Sequence, residues 1–388
     1  MPITAACHRG RVLDGLTLLD FSSMGPGPRC TRLLADYGLR VIKIRPPTGG
    51  TRMMDAPWYS YSANRGIRQV HVDLKVEAGR ELVHRLLGRA DAMIESYRPG
   101  VATRLGLGYD EVKARNEAIV YCSVSGYGQS GPYAHWPAHD LNWLALGGFL
   151  DGGSRRENGA PSLPGAVVAD TIGGYSAAVA VLCALVRRSV TGQGAYLDVS
   201  VMDGVLRMMQ FVLDGQLAAD PATRLLTGGS AGYDLYQAAD GKWLAVAAIE
   251  PHFWAALCRG TGLAHRIPDQ DDPSRQDLLR KELASAFATR TRDEWVHELG
   301  PVACVSPVNS PQETLADPHL RSRQLTLDVQ VDGRPVQQLA PRLAVPDPPD
   351  LTEQPAGPTP PHLVDDTLRD FGLADGEVAE LRAARVIE

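Results

Sequence analysis

The stretch that decides the fold is Leu16–Thr17–Leu18–Leu19–Asp20–Phe21, which runs into Ser22–Ser23–Met24–Gly25–Pro26–Gly27–Pro28, the helical pattern Cys30–Tyr37 and the apolar run Arg40–Ile44. A short β-rich run, a Gly/Pro loop, a helix and a second β-rich run make a β-α-β unit, which requires parallel strands. Working outward, strands are expected again at Val70–Leu74, Ala92–Glu95 and Ile119–Ser123, with helices at Glu77–Leu87 and Tyr109–Arg115. The reading is an α/β fold with a parallel sheet covered by helices. Asp170 to Arg188 reads as a long helix whose Gly- and Ala-rich start permits close packing.

Beyond about residue 220 the pattern changes. Tyr233–Ala239, the turn Asp240–Gly241 and Lys242–Ala247 predict a hairpin, and helices are expected at Pro251–Gly260, Ser274–Thr289 and Arg292–Glu298. This region reads as a smaller α+β domain. Val345–Pro361 holds seven prolines in seventeen residues and reads as an extended connector, followed by helical tails at Val364–Phe371 and Glu377–Ala384.

Composition removes several function classes. With 388 residues, the chain exceeds one ordinary core and suggests about two domains. The formal charge of −6 offers no electrostatic support for nucleic acid. The longest apolar run, Ala177–Val186, is too short to span a bilayer, and the N-terminus lacks a signal-peptide core, so no membrane partner is expected. Six cysteines without CxxC spacing read as reduced thiols of a cytoplasmic protein, and neither a metal site nor a cofactor is expected. Walker, GxGxxG and HExxH patterns are missing, and Gly228–Gly229–Ser230–Ala231–Gly232 fits a nucleophile elbow only by letter, because a hairpin follows it.

Three places carry candidate chemistry. The Met24–Pro28 loop follows the first strand, so it lies at the carboxyl edge of the sheet, where α/β proteins bind ligands. Tyr97–Arg98–Pro99–Gly100 with Arg104 follows another strand, and its two arginines suit phosphate, although exposed arginines are by default solvated surface. Ala138–His139–Asp140–Leu141–Asn142–Trp143 and Val168–Ala169–Asp170–Thr171 each set an aspartate at a helix start. Helix capping is their ordinary role, and an acid/base pair is the functional alternative.

Jointly these segments resemble the family III CoA transferases and their relatives, the α-methylacyl-CoA racemases. The likeness also runs through Val41–Ile42–Lys43–Ile44, Asn64–Arg65–Gly66, Val72–Asp73–Leu74–Lys75, Ser125–Gly126–Tyr127–Gly128–Gln129 and Asp198–Val199–Ser200. His139–Asp140–Leu141–Asn142–Trp143 and Ala239–Asp240–Gly241 through Glu250–Pro251–His252–Phe253 are similar to the racemase branch. The resemblance implies a Rossmann-like large domain with a smaller α+β domain in an interlocked, ring-like homodimer. It divides the chain into 1–200 (large domain, first part), 201–232 (linker), 233–325 (small domain) and 326–388 (linker and return to the large domain).

The same resemblance implies that His139 and Asp170 are catalytic acid/bases and that Glu250 orients His139, across the subunit boundary. The backbone N–H of Asp140 would hold the enolate oxygen, and Met24, Gly25, Pro26, Lys43, Arg45, Tyr97, Arg98 and Arg104 would bind CoA. Ala138, Thr171, Arg45 and Pro361–His362–Leu363–Val364 depart from the family pattern. The implied activity is interconversion of (2R)- and (2S)-2-methylacyl-CoA thioesters, with acyl-CoA as substrate. The alternative is CoA transfer through an acyl-Asp170 intermediate. A relative that binds acyl-CoA without catalysis is the third reading.

Overall fold

A computed structural model describes residues 11–47, 63–153, 156, 158–218, 226–331, 334–340 and 361–388. The chain forms two compact units, Met1–Met209 with Gln324–Glu388, and Gln210–Arg323.

The first unit is built on six parallel strands in the order β3-β2-β1-β4-β5-β6. They are β1 (Thr17–Asp20), β2 (Arg40–Arg45), β3 (Arg68–His71), β4 (Ala92–Glu95), β5 (Val120–Ser125) and β6 (Ala195–Ser200). This is the doubly wound order, and the strand sequence reverses between β1 and β4. The loops leaving those two strands therefore diverge around a crevice, and they are the two loops singled out above.

The helices are α1 (Pro26–Asp36), α2 (Glu77–Leu87), α3 (Val101–Arg104), α4 (Tyr109–Arg115), α5 (Asp140–Leu146), α6 (Ala169–Thr191) and α7 (Val201–Met208). Pro26 opens α1 at a position where the missing N–H costs nothing. One face of the sheet buries Leu19, Ile42, Val70 and Met93 against Leu82, Val83 and Leu86 of α2. The same core takes in Val364, Leu368 and Phe371 from a helix at Pro361–Asp370, and Val386 and Ile387 beyond it. Both ends of the chain thus supply one core.

Helix α6 is long and apolar enough by composition to cross a membrane, with 44% of its most apolar window buried. Its buried residues include Gly173, Gly174, Ala177 and Val181. Small residues let α1 lie close: a Cβ on Gly174 would sit 2.7 Å from Arg29 Cβ and 2.9 Å from the Pro26 carbonyl oxygen.

The second unit holds an antiparallel sheet of β7 (Tyr233–Gln237), β8 (Trp243–Ala247) and β9 (Val305–Pro307). Helices at Pro251–Gly260, Gln276–Phe287 and Arg292–Ala303 close a core of Trp254, Leu283, Phe287 and Trp295 over it. The chain divides between Met209 and Gln210, inside the stretch 201–232 expected as a linker, which is helical on both sides of the division. Val201 and Val205 are buried on α7, and Gln210–Ala218 is a further helix in the second unit. An apolar helical face drew α7 into the first unit. The connector expected at Val345–Pro361 lies, but for its last residue, outside the described residues.

Candidate active site

Asp20 ends β1 fully buried, and its carboxylate organises the loop that follows. It accepts from Ser22 N at 2.7 Å, Thr31 Oγ1 at 2.8 Å and Lys43 Nζ at 2.6 Å. Lys43 also donates to the Ser22 carbonyl at 3.1 Å. This corrects the expectation that Lys43 binds CoA. Its ammonium is buried and committed to a carboxylate and a carbonyl, so it shapes the binding loop from beneath. Sequence reasoning also passed over Asp20, although an aspartate closing an apolar strand is itself a signal of a buried ion pair.

The loop reaches Gly25 at φ 75°, ψ −133°, a conformation that glycine alone adopts without strain. A Cβ there would lie 3.2 Å from Asp170 Oδ1. Asp170, in the first turn of α6, is thereby packed against the glycine of the β1–α1 loop. Arg29, one turn into α1, donates to the Gly25 carbonyl at 3.0 Å and stands 3.7 Å from Asp170 Oδ2. Arg29 was not foreseen, because a lone arginine inside a helix carries no motif.

His139 precedes α5, where its backbone N–H donates to Asn142 Oδ1 at 3.0 Å. The next residue, Asp140, accepts the backbone N–H of Asp170 on Oδ1 at 3.0 Å. The two helix starts are joined, so His139 and Asp170 line one cavity of about 440 Å³. Met24, Gly25, Pro26, Tyr97 and Arg98 line the same cavity. Trp136, Pro137, Ala138 and Trp143 give it an apolar, partly aromatic wall.

Burial pushes the Asp170 carboxyl above the usual carboxylate range, and Asp140 adds to this, while Arg29 and His139 oppose it. Tyr97 is pushed up to about 12 by burial, with Glu95 and Asp20 adding to it. Its phenol therefore stays neutral at physiological pH.

Two further expected site residues of the first unit, Arg45 and Arg104, do not line this cavity. Arg45 ends β2 half-buried and donates to Gln69 Oε1 at 3.1 Å. Arg104 ends α3, exposed, and does not line the cavity. Glu250 belongs to the second unit, where it precedes the helix Pro251–Gly260 with an exposed side chain. The Gly228–Gly232 stretch is a turn into β7 in which Gly232 N donates to Ser230 Oγ at 3.1 Å. Among the described residues, no three His, Cys, Asp or Glu side chains could hold a metal ion.

A profile of CoA-transferase family III matches residues 13–366. The chain is 33% identical to human α-methylacyl-CoA racemase over 97% of each protein. It is 30% identical to the acetyl-CoA:oxalate CoA-transferase of Acetobacter aceti, over 84% of this chain and 88% of that one. The crystal structure of a CaiB/BaiF family protein from Brucella suis superposes with a TM-score of 0.79 at 25% identity, covering 94% of this chain and all of that one. The parallel sheet, the loop crevice at its carboxyl edge and these matches agree, and the chain belongs to CoA-transferase family III.

Proposed function

We propose that this protein racemises 2-methylacyl-CoA thioesters by moving the α-proton between His139 and Asp170. The observation that carries the reading is the placement of an imidazole and a carboxyl on one small cavity by joined helix starts. Support comes from the racemase relative, which matches over nearly the whole chain.

An α-hydrogen beside a thioester is weakly acidic, so removal needs a positioned base and a held enolate. Neutral His139 takes the proton from one face while protonated Asp170 returns one to the other. The reverse passage uses carboxylate and imidazolium. Each positioned acid/base group contributes on the order of 10²–10⁴-fold. The raised carboxyl of Asp170 suits this, because a protonated acid is then accessible at higher pH than for an ordinary aspartate. The backbone N–H of Asp140, in the first turn of α5, is the donor for the enolate oxygen, and Glu250 of the partner subunit supports the imidazolium. Met24, Gly25, Pro26, Tyr97 and Arg98 take the CoA thioester. No step draws on a metal or redox cofactor.

The protein acts as a homodimer in this reading. Tyr175, Val179, Val186 and Val190 form an exposed stripe at i, i+4, i+11 and i+15 on α6, the kind of apolar surface a second copy covers. Sedimentation at nanomolar concentration tests it, and an active monomer overturns it.

CoA transfer is the second reading, favoured by the transferase relative and by the half-buried Asp170 carboxyl against Gly25. There the carboxylate attacks the thioester carbonyl, CoA leaves as thiolate, and an acyl anhydride forms on Asp170. Incubation of a 2-methylacyl-CoA in deuterated water separates the two. Deuterium at the α-carbon without any acceptor acid supports racemisation. Turnover that demands an acceptor acid, with no label, replaces it by transfer.

A further inference from the structure

We propose that Arg29 is a positioning residue for Asp170, tying the carboxylate to the Gly25 carbonyl and holding it in its ionised form for half of the catalytic cycle. The inference rests on the reading of Asp170 as the reacting carboxyl.

The geometry is a three-point clasp. Arg29 Nη1 donates to the Gly25 oxygen at 3.0 Å and lies 3.7 Å from Asp170 Oδ2, while the Gly25 α-carbon faces Asp170 Oδ1. The course of the arginine is set from below, because Gly174 leaves room for Arg29 Cβ where any side chain would collide. The guanidinium is permanently charged and can serve the carbonyl and the carboxylate together.

The groups facing Asp170 from the elements around it are Arg29 on α1, His139 before α5, and Asp140 on α5. Burial and Asp140 favour the neutral acid, and Arg29 and His139 favour the carboxylate. A two-base site needs both forms within reach, since Asp170 gives a proton in one direction and takes it in the other. Arg29 opposes burial without being a proton donor or acceptor itself. It also keeps its charge throughout the cycle, whereas His139 is charged only after it has served as the base.

The test reads Asp170 directly. Carboxyl ¹³C shifts are titrated in the wild type, Arg29→Gln and Arg29→Lys, with the Asp170 resonance assigned from Asp170→Asn. Removing a cation at this distance should raise the midpoint by roughly one pH unit in Arg29→Gln, with Arg29→Lys returning most of the way. The acidic limb of α-deuterium exchange should move up with it. Superimposable titrations in all three proteins overturn the proposal. So does weakened binding of free CoA, by calorimetry, with an unmoved midpoint, which would make Arg29 a ligand contact. A midpoint that follows Arg29 in an enzyme showing no exchange upholds the clasp and sinks racemisation alone.

Discussion

The carboxylate of Asp140 accepts the backbone N–H of Asp170 at 3.0 Å. That bond joins the start of the helix behind His139 to the start of the helix carrying the reacting carboxyl, and it also sets a negative charge beside Asp170. The two effects separate by substitution. Asn at 140 keeps an acceptor oxygen without charge, so the Asp170 carboxyl should fall toward its ordinary value and the acidic limb of exchange should move to lower pH. Ala at 140 removes the acceptor and should cost about 0.5–2 kcal/mol, read by urea denaturation. An acidic limb unmoved in Asp140→Asn would remove the electrostatic role.

His139 and Asp170 should separate by substrate handedness. His139→Ala should abolish exchange from one pure enantiomer of a 2-methylacyl-CoA and leave slow exchange from the other, with Asp170→Ala showing the mirror pattern. Glu250→Gln should act more mildly, since it removes a charge and no base. Full exchange of both enantiomers by His139→Ala contradicts the two-base scheme.

Lys43 and Arg98 make opposite forecasts. Lys43→Met leaves the buried Asp20 carboxylate without its cation and should destabilise the fold by about 3–5 kcal/mol. The measurement is the denaturation midpoint, and wild-type stability with a raised KM would return Lys43 to the ligand. Arg98→Ala should raise the acyl-CoA KM more than it lowers kcat, as expected for uniform binding. Arg104→Ala should act more weakly, since Arg98 lines the cavity and Arg104 does not.

Gly25→Ala should keep the fold and lose activity. The backbone conformation would cost on the order of 1–3 kcal/mol, and the new methyl would press on Asp170 Oδ1. Circular dichroism with kinetics checks it, and wild-type kcat in a folded Gly25→Ala would discard the close packing as a requirement.

Much of this fold is legible in residues alone, because strand and helix periodicities differ and the loops between them are short. Glu77–Leu87, Tyr109–Arg115 and Pro251–Gly260 match their helices to the residue. β6 and β9 escaped as strands. Ala195–Ser200 alternates half-buried and exposed residues before its buried end, and Val305–Pro307 has only three residues, too short for a period to register. The site divides the same way. Residues 139 and 170 stand out because each opens a helix beside an aspartate or a glycine pair. Lys43 misled, because a lysine in an apolar strand reads equally as ligand-binding or as half of a buried pair, and only the position of Asp20 decides. Arg29 and the Asp140–Asp170 bond depend on distances between segments far apart in sequence, which no local pattern encodes.

Residues 361–387 complete the core that β1, β2 and β3 begin, with Asp73 N bonded to the Val386 carbonyl at 2.9 Å. During synthesis the first unit must therefore wait. Its opening strands leave the ribosome early and α2 follows them, yet the part of the core that Val364, Leu368 and Phe371 complete stays open until those residues have emerged. At roughly 5–20 residues per second that interval lasts tens of seconds. The contiguous 210–323 unit can fold within it. The nascent protein should accordingly pass through a state with a folded middle and an open beginning, and chaperone capture should end abruptly once the last helices are released.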